Sequence, residues 1–271
     1  MKFKEFVQDL SQIAGLKAVN MIARSGHYVL QERRYGDHER HRYDCYLHRE
    51  VDASRPKIIF LYGGNWRSGD RRDYRFVADS LCSLGFDVFV PDYRLFPAVR
   101  FGQILDDIRV AVDEIMSTIS TEPIFLMGHS AGAQLGALLT LNAQLLQSAQ
   151  RISGFIGLAG PYDFFPYTED SHWELFSPAE KYRESQPVNF VRPDAAPLYL
   201  LHGRDDVRVR RGHSKSLMEK QQAVGGDASR EVYDGMGHID IVASLSRIYR
   251  GNSEVLWDIN RFVTAEALKR V

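Results

Sequence analysis

The chain lacks the features that announce several classes of protein. Of its 271 residues only Cys45 and Cys82 are cysteine, one in an expected strand and one in an expected helix, without metal-ligand spacing. Nothing in them points to a disulfide framework, and a reduced, cytoplasmic setting is the expectation. No apolar stretch approaches the ~20 residues of a membrane span. The chain opens Met-Lys, but charged and amide residues interrupt every short apolar run that follows, which argues against a signal peptide. An excess of one charge is missing too. Lys and Arg number 34 against 35 Asp and Glu, so no general attraction draws the protein to nucleic acid or an anionic membrane. There is no internal repeat, no low-complexity linker, and neither G-x-G-x-x-G nor a Walker phosphate loop.

What is present is enough chain to bury one large core, so residues 1–271 are expected to form a single α/β domain. Phe3, Phe6, Val7, Leu10, Ile13 and Ala14 share one face of a helix expected within residues 1–24. It would dock on the domain or shape the rim of the site; a dimer contact or membrane-surface anchor is the other reading. Two antiparallel strands follow, at about 27–32 and 42–49, joined by a polar turn. Then strands at 57–62, 86–90, 123–127, 154–159, 197–201 and 229–233 alternate with helices at 71–83, 102–119 and after 131, and a last helix carries Val255, Leu256, Ile259, Phe262 and Val263. Such alternation predicts a mostly parallel sheet with helices on both faces and ligands at the carboxyl ends of the strands. Residues 161–197 interrupt the pattern with Phe164, Phe165, Tyr167, Trp173 and Phe176. They form either a small lid over an acyl pocket, helped by Trp66 as a substrate-binding residue, or an insertion packing its own aromatics.

The chemistry centres on Gly128-His129-Ser130-Ala131-Gly132, between the apolar run 124–127 and a helix-forming stretch. A serine on a sharp strand-to-helix turn, flanked by small residues, is a nucleophile elbow. Serine is a poor nucleophile at neutral pH and needs a base, which in turn needs an orienting acid. In chain order the acid should follow, then the histidine. The loop after strand 197–201 offers Asp206, with Asp205 as the alternate, and Gly203-x-x-Asp206-x-x-Val209 spacing favours Asp206. His238, in the Gly-rich loop after strand 229–233, is the expected base. Asp240 is expected to cap the helix beginning near Ile239, His202 to pack below the acid loop, and His129 to fill space beside Ser130. After strand 57–62, Gly63-Gly64-Asn65-Trp66 can aim backbone N–H groups at one point. The N–H groups of Gly64, Asn65 and Ala131 are the expected oxyanion hole.

Two other clusters were weighed. His38-Glu39-Arg40-His41 has metal-like spacing but no further ligands, and is expected to be a solvated turn. Arg208, Arg210 and Arg211 lie past the acid loop, where a solvated helix start is favoured over a contact to an anionic substrate.

Together these motifs resemble the α/β-hydrolase superfamily, in its esterase and lipase branch related to hormone-sensitive lipase and kynurenine formamidase. That branch carries HGG-x-[WF] in its oxyanion loop, and Tyr62 stands here in the place of its histidine. Arg42-x-Asp44-x-Tyr46, Pro91-Asp92-Tyr93-Arg94-Leu95, Asp106-Asp107 and Gly160-Pro161-Tyr162-Asp163 resemble further motifs of these esterases. The resemblance implies a serine hydrolase; small carboxylic esters are the expected substrates, no cofactor or metal is expected, and the expectation is a cytoplasmic monomer or homodimer. A formamidase-like amidase is the alternative, and a non-catalytic ligand-binding protein on the same fold the remaining one.

Overall fold

Apolar runs without alternation become strands covered on both faces. β3 (Lys57–Leu61), β5 (Ile124–His129), β6 (Ile152–Leu158) and β7 (Leu198–Gly203) are buried along their whole length. The structure, a computed structural model, describes residues 19, 20, 23, 26, 28–50, 52 and 54–269. The amphipathic helix expected within 1–24 lies almost wholly outside them. β1 (Val29–Arg34), β2 (Arg42–Leu47), β4 (Asp87–Pro91) and β8 (Ala228–Tyr233) complete an eight-stranded sheet in the order β1-β2-β4-β3-β5-β6-β7-β8. β2 pairs antiparallel with β1 and β4, and every other pairing is parallel.

The helices are α1 (Arg75–Ser83), α2 (Phe101–Ser117), α3 (Ala131–Leu141), α4 (Asp170–Leu175), α5 (Gly212–Ala223), α6 (Asp240–Ala243) and α7 (Glu254–Leu268). Both faces of the sheet are covered, as expected. Phe155 of β6 meets Gly136 of α3, while its neighbour Gly154 meets Phe262 of α7, and successive residues of a strand face opposite ways. The helix expected at 71–83 is split. Its first turn is a 3-10 turn over Arg71–Tyr74, capped by the Asp70 side chain on the Arg72 N–H, and Tyr74 (φ −112°, ψ 21°) breaks it from α1.

Residues 161–197 form α4 and short 3-10 turns around their own aromatics. Tyr167 stacks on Phe176 with ring centroids 4.8 Å apart, and Phe164 and Phe176 close on Trp66 at 6.0 and 5.1 Å. The segment packs its own aromatics, with Trp66 among them. The loops after β3, β5, β7 and β8 all open at the carboxyl edge of the sheet, where parallel α/β proteins build their sites.

Candidate active site

Ser130 sits at φ 55°, ψ −121° between β5 and α3, a left-handed backbone that non-glycine residues rarely adopt. The flanking glycines make it attainable. A Cβ on Gly132 would lie 2.0 Å from the Leu61 carbonyl oxygen of β3, and one on Gly128 would lie 2.4 Å from the Gly132 oxygen. The turn is tied in place by the Ser130 N–H, which donates to the Leu158 carbonyl at 2.9 Å.

Three side chains from three loops form one hydrogen-bonded relay. His238 Nε2 lies 2.9 Å from Ser130 Oγ, and its Nδ1 lies 2.8 Å from Asp206 Oδ2. A carboxylate can only accept, so Nδ1 carries the proton and Nε2 is free to receive the hydroxyl's. Asp206 Oδ1 accepts the N–H groups of Arg208 (3.0 Å) and Val209 (2.9 Å), and His202 Nε2 donates to the Val209 carbonyl at 2.7 Å. Burial raises the Asp206 pKa, but hydrogen bonds from His202 and His238, the charge of His238 and the Val209 N–H outweigh it and hold the carboxyl well below the usual range. Asp205 is exposed. Asp240 lies in the first turn of α6, and its carboxylate accepts the Gly237 N–H at 2.8 Å, bracing the loop of His238. His202 packs beneath the acid loop as expected.

His129 does more than fill space. Its Nε2 lies 3.0 Å from the His238 carbonyl oxygen and its Nδ1 3.3 Å from the Tyr74 hydroxyl. A carbonyl only accepts, so Nε2 donates. Burial, then the nearby His238, push its pKa down to about 3.

Opposite Ser130 stands the 63–66 turn. A Cβ on Gly63 would come within 3.0 Å of Ser130 Cβ and the His129 carbonyl, so the turn lies directly on the elbow. Gly64 (φ 145°), Asn65 (φ 52°) and Trp66 (φ 58°) all have positive φ. Among the described residues, no backbone acceptor takes the N–H of Gly64 or Asn65. The Ala131 N–H opens α3, where the first helical donors have no partner inside the helix. The arrangement can accept a serine proton on one side and hold a developing negative oxygen on the other.

The BD-FAE family model matches residues 43–221, more than half of the chain. The chain belongs to the BD-FAE family. This BD-FAE chain is 27% identical to the isoprenylcysteine alpha-carbonyl methylesterase of Arabidopsis thaliana, over 88% of its own length and 63% of the relative's. It is 27% identical to the kynurenine formamidase of Danio rerio, over 58% and 54%. The chain thus spans less than two thirds of these curated relatives. Esterase B from Lactobacillus rhamnosis with a tributyrin phosphonate superposes with a TM-score of 0.82 at 18% identity, covering 98% of this chain and 94% of that one. The fold is that of the α/β-hydrolases.

Tyr62, standing where the esterase branch has histidine, is fully buried in a charged network of the BD-FAE chain. Its hydroxyl donates to Asp92 Oδ1 at 2.8 Å and accepts from Arg40 Nη2 at 2.8 Å. Arg40 also reaches the Gly69 carbonyl at 2.7 Å, at the far end of the turn. Arg71 donates to Asp92 Oδ2 at 2.6 Å and to Asp44 Oδ1 at 2.7 Å. The motif residues Asp44 and Asp92 therefore join β2 and β4 to the turn after β3. Trp66, the expected substrate contact, is 3% exposed, and its Nε1–H donates to Gln134 Oε1 at 3.2 Å. Gln134 Nε2 donates in turn to the Ser185 carbonyl at 2.6 Å, pinning the insertion to α3. Reading the sequence missed Gln134; its signal is a long polar side chain in an otherwise apolar helix. His41 of the weighed His38–His41 pair lies 3.2 Å from Asp107. The Arg211 guanidinium donates to the Arg204 carbonyl at 3.2 Å, within its own loop. Among the described residues no helix is long and apolar enough to cross a membrane.

Proposed function

We propose that the protein is a serine hydrolase that cleaves small carboxylic esters through an acyl-enzyme on Ser130. His238 takes the Ser130 proton as the hydroxyl oxygen attacks the ester carbonyl. Asp206 holds the imidazole in the Nδ1–H tautomer and stabilises its positive form. The N–H groups of Gly64, Asn65 and Ala131 receive the oxyanion, each worth about 3–4 kcal/mol to the transition state. His238 then protonates the leaving alcohol. Water, deprotonated by His238, releases the acid and restores the serine. In this reading residues 1–271 make one hydrolase domain with 161–197 as its insertion, and no cofactor takes part.

The observation that carries the proposal is the relay itself, 2.9 and 2.8 Å from hydroxyl to imidazole to carboxylate, at a serine with φ 55°. Family membership and the esterases among its relatives support it. The test is a fluorophosphonate probe with a p-nitrophenyl ester series, run beside Ser130→Ala. Labelling and turnover that vanish in the variant are expected; absence of labelling in folded wild type would sink the proposal in favour of a ligand-binding protein.

Gly63-Gly64-x-Trp66 and the likeness to a kynurenine formamidase favour one second reading, an amidase acting on formamides. A kcat/KM for N-formylkynurenine far above that for short esters would establish it over the first.

A further inference from the structure

Asn65 and Trp66 are consecutive and both left-handed. Asparagine tolerates that region; a bulky tryptophan adopts it rarely, and such a backbone persists only where its surroundings over-determine it. Here part of the surroundings comes from the insertion, beside Gln134 of α3 and the Phe96 N–H, which donates to the Trp66 carbonyl at 2.9 Å. Asn65 Oδ1 lies 3.1 Å from His172 Nε2 on α4, and Asn65 Nδ2 lies 3.5 Å from Glu169 Oε2. A carboxylate beside Nδ2 sets which way the carboxamide faces, so Oδ1 accepts and His172 Nε2 carries the proton; Glu169 Oε2 also lies 3.3 Å from that Nε2, so the N–H faces both acceptors, with Asn65 Oδ1 the nearer. The same imidazole meets the Trp66 indole edge-on, with centroids 5.6 Å apart. His172 is 9% exposed. One buried side chain of the insertion thus touches both residues whose backbones shape the turn beside Ser130.

We infer that His172 is a positioning residue of the oxyanion hole: its Nε2–H holds the Asn65 carboxamide and its ring walls Trp66, aiming the Asn65 N–H at the oxygen that becomes negative. The inference rests on the serine-hydrolase reading above. His172 touches no substrate and exchanges no proton in the reaction. Burial lowers its pKa, with Glu169 opposing and Arg67 adding to the shift, which favours the neutral donor. An aimed donor matters most when the oxygen is charged, so its loss appears in kcat and leaves KM in place.

Two replacements separate aiming from packing. His172→Phe keeps the ring contact with Trp66 and removes the donor; His172→Gln keeps an N–H near the Nε2 position and removes the ring. With p-nitrophenyl acetate, His172→Phe is expected to lower kcat roughly tenfold or more with KM within about twofold, against the ~100- to 1,000-fold of losing an oxyanion donor outright. His172→Gln is expected to recover most of the rate. In an Asn65→Gly background, where the carboxamide is gone, His172→Phe should change kcat by less than about twofold, a coupling that only direct action through Asn65 produces. Full activity in His172→Phe, a Gln variant worse than Phe, or equal losses in both backgrounds would overturn the role of His172 while leaving the hydrolase intact. Folded wild type that neither turns over nor takes a fluorophosphonate would overturn both.

Discussion

The two loops that meet at Ser130 are held in different ways. In the elbow, backbone meets backbone: Gly128 and Gly132 let strand, helix and β3 come closer than any Cβ allows. The 63–66 turn needs glycine too, since a Cβ on Gly64 would lie 2.0 Å from the Ser68 carbonyl oxygen, but side chains also hold it, with Arg40 and Asp92 at Tyr62, Gln134 at Trp66 and His172 at Asn65. A backbone-built turn needs small residues at fixed, short spacing, so it leaves a compact signature. The side chains that hold the 63–66 turn are scattered from residue 40 to residue 172, so its glycines leave a signature and its supports leave none. Rigidity near a reactive centre can thus be equal in effect and very unequal in visibility.

The relay shared by both loops sets the scale for breaking this contrast. Asp206→Asn keeps the shape but reverses the tautomer, and should lower kcat by about 10,000-fold with near-normal melting; a small loss would mean that His238 is oriented by something other than Asp206. Next comes the elbow. Gly132→Ala forces a methyl group into the Leu61 carbonyl and should destabilise the fold by about 3 kcal/mol or more in urea unfolding. Stability near wild type would end the backbone-contact account. Tyr62→Phe strands Arg40 and Asp92 partners in a buried network and should remove about 1–3 kcal/mol, with a modest fall in kcat, whereas an unchanged kcat would detach that network from the turn.

The smallest effect is a slope. His129 is neutral in the fold with its pKa down from 6.5 to about 3. Between those values the unfolded chain binds a proton that the folded chain refuses, so stability falls as pH falls through this window. His129→Gln, which keeps a donor toward the His238 carbonyl, should flatten the melting-temperature profile there. An unaltered slope would mean that the acid sensitivity lies in other buried groups.

The same contrast explains what could be read beforehand. The order serine, aspartate, histidine and the strand-turn-helix context of Ser130 are local patterns, and the geometry brings all three side chains together. The choice of Asp206 over Asp205 rested on its spacing to Val209, and the Val209 N–H bonded to Asp206 Oδ1 is the physical content of that spacing. Trp66 shows the limit. It is expected to line the acyl pocket together with residues 161–197, but how far its indole faces core depends on how residues 164–176 fold, which no local pattern gives. His129 was undervalued for the same reason, since its partner His238 is 109 positions away.

All 11 residues of α3 are buried, and the Ser130 hydroxyl finds its partner 108 residues further along the chain. If the serine-hydrolase proposal holds, a fluorophosphonate marks only those molecules whose sheet has closed from β5 to β8. Titrating that single oxygen takes a census of native chains. With purified protein after partial heating, it would count correctly folded chains directly, without a spectroscopic baseline.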